Sequence, residues 1–153
     1  PSPSRPDIGL ICACVMSPTL AAVLKDLDPS MSIVAFETLD ECGQESQRAW
    51  NNAGTGHAGN CELTYTPRPA DGRIDISNAL DVNTEFDMSR QLWAHWIRQG
   101  RLTDPGTFIQ PCPHISLVWG AEDVALLRAR FDALSTHHCF DGMEYSEDPA
   151  VIA

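Results

Sequence analysis

Cys12 and Cys14 stand one residue apart in "DIGLICACVMSPTL" (residues 7–20), at the corner between an apolar run and an amphipathic stretch. Three readings suit that placement. A tight corner between a strand and a helix is where a dinucleotide phosphate is cradled, and here the two sulfurs stand where glycine ordinarily serves. A Cys-x-Cys pair can instead hold a metal or act as a redox thiol pair. The third reading is the end of a buried strand with no chemistry. A second cluster, "THHCF" (136–140), sets His137, His138 and Cys139 side by side. It reads either as a ligand set or as a polar cluster at a helix end, where the dipole favours histidine.

The elements that must position these residues follow from periodicity. Ile8 to Ile11 is a short apolar run suited to a buried parallel strand. A helix follows, with Leu20, Val23, Leu24 and Leu27 at i, i+3, i+4, i+7 spacing. Ser17 is expected to cap it and Pro18 to sit in its first turn, where a missing N–H costs nothing. "DPS" (28–30) turns the chain into "MSIVAFE", a second strand expected to end at Glu37. Strand, helix and strand in about 30 residues make a βαβ unit. In such a unit an acidic residue ending the second strand, about 20 residues past the corner, receives a ribose hydroxyl. Glu37 has that spacing; a solvated strand end is the alternative.

Bulk composition narrows the function classes. The chain has 153 residues, 43% of them hydrophobic, enough for one domain with its own core. A formal net charge of −11 with only 10 dispersed basic residues argues against nucleic-acid binding, which needs clustered Lys and Arg. Cys12, Cys14, Cys42, Cys61, Cys112 and Cys139 show neither the paired Cys-x-x-Cys nor the spaced His pattern of zinc modules, so no metal centre is expected. A disulfide scaffold belongs to short secreted chains with weak cores. No window approaches the roughly 18 apolar residues of a membrane helix, and "PSPSRPD" has no signal-peptide core behind it, so the cytosol is the default compartment.

Beyond Glu37, "ESQRAWNNAGTGHAGNCELTYTP" (45–67) is a loop rich in small polar residues whose amides can face a ligand. "WNNAGTGHAGNCELTYTP", followed by "DGRIDIS", "PHISLVWG" and "GMEYSEDPA", resembles the N-terminal part of the malate:quinone oxidoreductases, in register from about Asp7 to Ala153. The resemblance implies an α/β fold: the Rossmann-like FAD-binding βαβ unit of a two-domain flavoprotein, incomplete, with additional helices and strands. It divides the chain into a dinucleotide-binding part at 7–66 and a helical and strand segment at 67–153, an N-terminal fragment of the whole enzyme. It implies FAD as cofactor, malate oxidised to oxaloacetate, quinone as electron acceptor, and peripheral association with the cytoplasmic face of the inner membrane.

Carried over position by position, the resemblance puts Ala13, Met16 and Ser17 in the phosphate corner and Glu37 on the ribose. Ser46, Asn51, Asn52, Ala53, Gly54 and Thr55 are expected to run beside the pyrophosphate and flavin. His57, just after that loop, is the candidate base for the malate C2 hydroxyl; a histidine that only hydrogen-bonds the loop is the alternative. The Cys12-Ala13-Cys14 corner departs from the family's Gly-x-Gly. A side chain at positive φ costs about 1–2 kcal/mol, and the side chain at 14 is expected to project toward the phosphate. Weak or absent FAD binding is therefore expected, the other reading being a non-catalytic α/β domain that has lost dinucleotide binding.

The second half is expected to be scaffold. "SNALDVNTEFDMSRQLWAHWIRQG" (77–100) predicts a helix capped by Ser77, with Val82, Phe86, Trp93 and Ile97 on one face and a stop at Gly100. "HISLVWG" (114–120) predicts a strand entered by Pro111 and Pro113, with His114 as a surface histidine before it. Val124, Leu127, Phe131 and Leu134 then line a last helix.

Overall fold

The computed structural model describes residues 5–56, 58–59, 62–68 and 72–152. The chain divides into two compact units between Thr55 and Gly56. In the first, strand β1 (Ile8–Ile11), helix α1 (Met16–Leu27) and strand β2 (Ile33–Phe36) follow one another. β1 and β2 pair in parallel with Ile8 opposite Ile33 and Ile11 opposite Phe36. The ladder runs one residue further, because the Cys12 amide donates to the Phe36 carbonyl at 2.8 Å. At its other end Asp7 accepts from the amide and hydroxyl of Ser32 at 2.8 and 2.6 Å. This βαβ arrangement is the one expected, with β2 ending one residue before Glu37.

The expected cap of α1 is absent. Val15 takes the N-cap position in helical backbone geometry, φ −49° and ψ −32°, with no side-chain bond. A capping oxygen needs extended backbone to bend back onto the first amides. Ser17 instead lies inside the first turn, its amide donating to the Cys14 carbonyl at 3.1 Å. Val23 and Leu24 of the apolar stripe are half-buried, while Leu27 is exposed.

The second unit holds helices α2 (Ser77–Arg98), α3 (Ala121–Leu134) and α4 (Pro149–Ile152), with single 3-10 turns at Leu63–Tyr65, Pro105–Thr107 and His138–Phe140. Its core is Ala79, Leu134 and Phe140, with Tyr65, Ile76, Leu80, Cys139 and Met143 packed around them. Ser77 is the first helical residue and not the cap; the Asp75 carboxylate, two residues upstream, accepts its amide at 2.9 Å. α2 ends as expected, the Gly100 amide closing onto the Ile97 carbonyl at 2.9 Å. Val82, Phe86, Trp93 and Ile97 are all half-buried, and Trp93 meets Phe86 and Phe108 edge-on. Val124, Leu127 and Phe131 are half-buried on α3 and Leu134 is fully buried.

The strand expected at 114–120 does not form. The segment keeps a period-two alternation of burial, with Ile115, Leu117 and Trp119 exposed and Ser116 and Val118 half-buried. Alternation makes a segment fit for a sheet, but only a hydrogen-bonded neighbour makes it a strand. Among the described residues no strand lies beside it. His114 is exposed, its Nε2 within 3.3 Å of the Ser116 hydroxyl.

Candidate functional site

The corner after β1 is a knot of hydrogen bonds centred on Ala13, which is only 2% exposed. Its amide donates to Glu37 Oε2 at 2.8 Å, and its carbonyl accepts from the Gly43 amide at 3.0 Å. Cys12, just before it, has φ +72° and is the only described residue other than glycine with a positive φ. The positive φ expected of a glycine corner is thus realised at 12; Cys14 does not share it.

Glu37, immediately past β2, turns its carboxylate back over this corner. Oε1 accepts from the Thr38 and Leu39 amides at 2.7 and 3.1 Å. The Ala13 amide, followed by those of Leu39 and Thr38, holds its carboxyl below the ordinary glutamate value by stabilising the charged form. The group is therefore an anion with its oxygens aimed by backbone amides, and Oε2 has a lone pair beyond the one given to Ala13.

On the α1 side the amides of Cys14, Val15 and Met16 donate to no described residue. Unpaired first-turn amides are the ordinary anion-attracting end of a helix. Met16 is 78% exposed there. The two sulfurs sit at the same place: Cys12 Sγ and Cys14 Sγ are 2.8 Å apart, Ser46 Oγ donates to Cys14 Sγ at 3.5 Å, and Glu45 Oε2 lies 3.9 Å from it. Cys12 keeps its thiol proton above the ordinary range, chiefly because it donates to Cys14.

The loop expected beside the cofactor is brought to the corner by Ser46. Asn51 and Asn52 fold it, their side-chain amides donating to the carbonyls of Glu45 and Ser46 at 2.6 and 3.0 Å. Asn52 Oδ1 also accepts from the Gly54 amide at 2.7 Å. Ala53, Gly54 and Thr55 are exposed. His57 lies outside the described residues. Gly43 and Glu45 carry little sequence signal beyond the "ECGQES" turn after β2.

The second cysteine cluster closes a different element. His137 Nδ1 accepts the Cys139 amide at 3.3 Å, capping the 3-10 turn after α3, and the two imidazoles stack with centroids 4.4 Å apart. One ligand atom from each of His137, His138 and Cys139 lies within 4.8 Å of the others. With Nδ1 accepting the Cys139 amide, the neutral ring carries its proton on Nε2, so neither His137 nitrogen offers a free lone pair while the cap is made. A cavity of about 180 Å³ beside the buried Arg130 is lined by Leu63, Thr66, Val118, Asp123, Leu126 and Leu127. It is smaller than the roughly 300–1,000 Å³ of ordinary ligand pockets.

A parallel βαβ unit with an acid returning from the end of β2 onto the corner before α1 is an α/β arrangement compatible with a Rossmann-like unit. The sequence model of the malate:quinone oxidoreductase family matches residues 4–153. The probable malate:quinone oxidoreductase of Gluconobacter oxydans strain 621H is 72% identical over 148 residues, covering 97% of this chain and 30% of that protein. The one from Rhodopseudomonas palustris strain TIE-1 is 62% identical over 151 residues, 99% of this chain and 30% of its own length. More distantly, the one from Rhodococcus erythropolis strain PR4 is 52% identical over 147 residues. This chain belongs to the malate:quinone oxidoreductase family, and it spans 30% of the length of the first two of these relatives.

Proposed function

We propose that this chain is the N-terminal, FAD-binding part of an enzyme that oxidises malate to oxaloacetate and passes the electrons to quinone. The observation that carries the reading is Glu37, whose carboxylate is held over the β1–α1 corner by the Ala13 amide at 2.8 Å in a chain of this family. Residues 7–66 carry the dinucleotide part, and 67–153 form the segment leading toward the rest of the enzyme. The corner fits the ribose and pyrophosphate of such a group in two respects: Glu37 Oε2 has a spare acceptor lone pair, and the amides of Cys14, Val15 and Met16 are unspent among the described residues. Glu37 holds the ribose, the first turn of α1 with Met16 and Ser17 meets the pyrophosphate, and the loop from Ser46 through Asn51, Asn52, Ala53, Gly54 and Thr55 runs alongside.

The flavin supplies a two-electron acceptor when bound. His57 takes the C2-hydroxyl proton of malate, because an imidazole with pKa near 6.5 is a competent base at neutral pH. Cys12 and Cys14 crowd the corner and weaken the cofactor's hold. Among the described residues no helix is long and apolar enough to cross a membrane, and quinone is met through peripheral association at the cytoplasmic face.

Titration with FAD, read by flavin fluorescence, tests the reading. Glu37→Ala should weaken binding about ten- to a hundredfold, since hydrogen bonds to a charged group are worth about 1.5–3 kcal/mol. Glu41→Ala, whose carboxylate accepts from the Gln44 side chain, should leave it unchanged. Circular dichroism separates loss of ligand from loss of fold. Equal losses in both variants would refute a ribose contact. No binding by the parent chain or by a Cys12→Gly, Cys14→Gly double variant would favour the second reading, a non-catalytic α/β domain. That reading is favoured by the sulfurs at the corner and by the Ala13 amide already spent on Glu37.

A further inference from the structure

The two sulfurs at the corner lie closer to each other than Cys14 Sγ lies to its hydrogen-bond partners Ser46 Oγ and Glu45 Oε2. Cys12 Sγ and Cys14 Sγ are 2.8 Å apart, whereas Glu45 Oε2 is 3.9 Å from Cys14 Sγ. A disulfide bond is about 2.05 Å long, so the pair needs to close by less than about 1 Å. A tetrahedral metal with bonds of about 2.3 Å to each sulfur needs the opposite movement, to a separation of about 3.8 Å. The backbone holds the pair in place. Ala13 between them is pinned through its amide to Glu37 and through its carbonyl to Gly43, and the Cys12 amide is pinned to Phe36. Both cysteines are only half-buried, which leaves the corner open to a small reagent.

We propose that Cys12 and Cys14 form a reversible disulfide by exchange with a low-molecular-weight disulfide of the glutathione class, making the β1–α1 corner a redox-modification site. Cys14 attacks first. Its sulfur accepts hydrogen bonds from the Cys12 thiol and the Ser46 hydroxyl, and its own thiol donates toward Glu45 Oε2 at 3.9 Å, a carboxylate placed to take that proton; Cys12, as donor to Cys14, retains its proton to higher pH. Cys14 Sγ bonds to one sulfur of the reagent disulfide, whose S–S bond breaks and expels a thiolate that takes up the proton shed by Cys14. Cys12 Sγ then attacks Cys14 Sγ, the mixed disulfide breaks, and the second thiolate leaves with the Cys12 proton. Two electrons pass from the chain to the reagent; one protein disulfide and two small thiols result. The proposal does not depend on flavin binding, and its readout contains none.

The chain is equilibrated in buffers of rising oxidised-to-reduced glutathione ratio, quenched with acid, alkylated, and mapped through the tryptic peptide that ends at Lys25. Both thiols of that peptide should be lost together, the peptide becoming lighter by two hydrogens, and dithiothreitol should restore them. Because the fold holds the sulfurs together, the native chain should reach its midpoint at a ratio about tenfold or more lower than the same chain unfolded in urea. Cys12→Ser should trap glutathione on Cys14, and Cys14→Ser should leave Cys12 reduced at the same ratio. The comparison of native with unfolded parent chain requires no variant to fold. Equal native and unfolded midpoints would overturn the proposal, as would oxidation confined to Cys42 or Cys112. Stoichiometric protection of the pair by zinc in place of disulfide formation would assign the cluster to a metal instead.

Discussion

Replacing each corner cysteine by glycine should move stability in opposite directions. Cys12 is held at φ +72°, where its side chain costs about 1–2 kcal/mol that glycine does not incur. Glycine gives back about 0.5–1 kcal/mol through the larger entropy of its unfolded chain. Cys12→Gly should therefore stabilise the first unit by about 0.5–1 kcal/mol. Cys14 is not at positive φ, so Cys14→Gly brings only the entropic cost, about 0.5–1 kcal/mol of destabilisation. The gap of about 1–2 kcal/mol is a five- to thirtyfold difference in the local opening constant. Hydrogen exchange of the peptide spanning β1, the corner and α1, followed by mass spectrometry, reads that constant directly. Both variants shifting the same way, or Cys12→Gly exchanging faster than the parent, would refute the claim that a left-handed residue is required at 12 alone.

Acid should loosen the first unit. Glu37, Asp7 and Asp28 all have carboxyl pKa values lowered by hydrogen bonds, the Ala13 amide leading for Glu37 and the side chains of Ser32 and Ser30 leading for the aspartates. A carboxyl lowered on folding stabilises the fold above its unfolded pKa and loses that contribution as pH falls through the folded value. Urea midpoints measured from about pH 6 to about pH 3 should drop, and Glu37→Gln should flatten the profile. In the second unit the buried Arg130 donates through Nε to the buried Thr66 hydroxyl at 2.6 Å. Thr66→Val should lower stability by about 1.5–3 kcal/mol in a thermal melt, with Thr66→Ser keeping most of it. Gly59, at φ +85°, faces the Ala79 carbonyl so closely that an added Cβ would fall on that oxygen, whereas Gly54, at φ +67°, has open space around it. Gly59→Ala should cost about 2–5 kcal/mol and Gly54→Ala only about 1–2.

What was legible in the sequence was whatever repeats along it. The apolar run of β1, the 3-4 spacing of α1 and the β-branched content of β2 gave the βαβ unit, and Val124, Leu127, Phe131 and Leu134 gave α3. The missed caps show the limit. Ser17 and Ser77 are good capping residues, but a cap depends on the backbone one residue before the helix, which Val15 and Ile76 occupy without extended, bond-accepting geometry. Residues 114–120 show the same limit over a longer reach, because their alternation is local and a sheet partner is not. At the candidate site the Glu37 spacing was readable, but its bond to the Ala13 amide joins residues 24 positions apart. Gly43 on the Ala13 carbonyl and Ser46 on the Cys14 sulfur arise from loop closure, which has no periodic signature.

The corner also separates what a residue prefers from what a fold imposes. Cysteine at 12 has no intrinsic tendency toward φ +72°. It is carried there because bonds on either side fix the path: its own amide completes the ladder to Phe36, and the next residue is held at both ends by Glu37 and Gly43. Three bonds of about 1 kcal/mol net each are enough to outweigh a penalty of about 1–2 kcal/mol. The left-handed corner therefore belongs to the βαβ framework and does not require glycine at 12. The same rigidity that keeps the strain also keeps the two sulfurs face to face. A glycine corner leaves its amides to a phosphate; this one keeps the backbone path and adds two thiols to it, so its cofactor affinity and its thiol chemistry must be measured as separate properties of one turn.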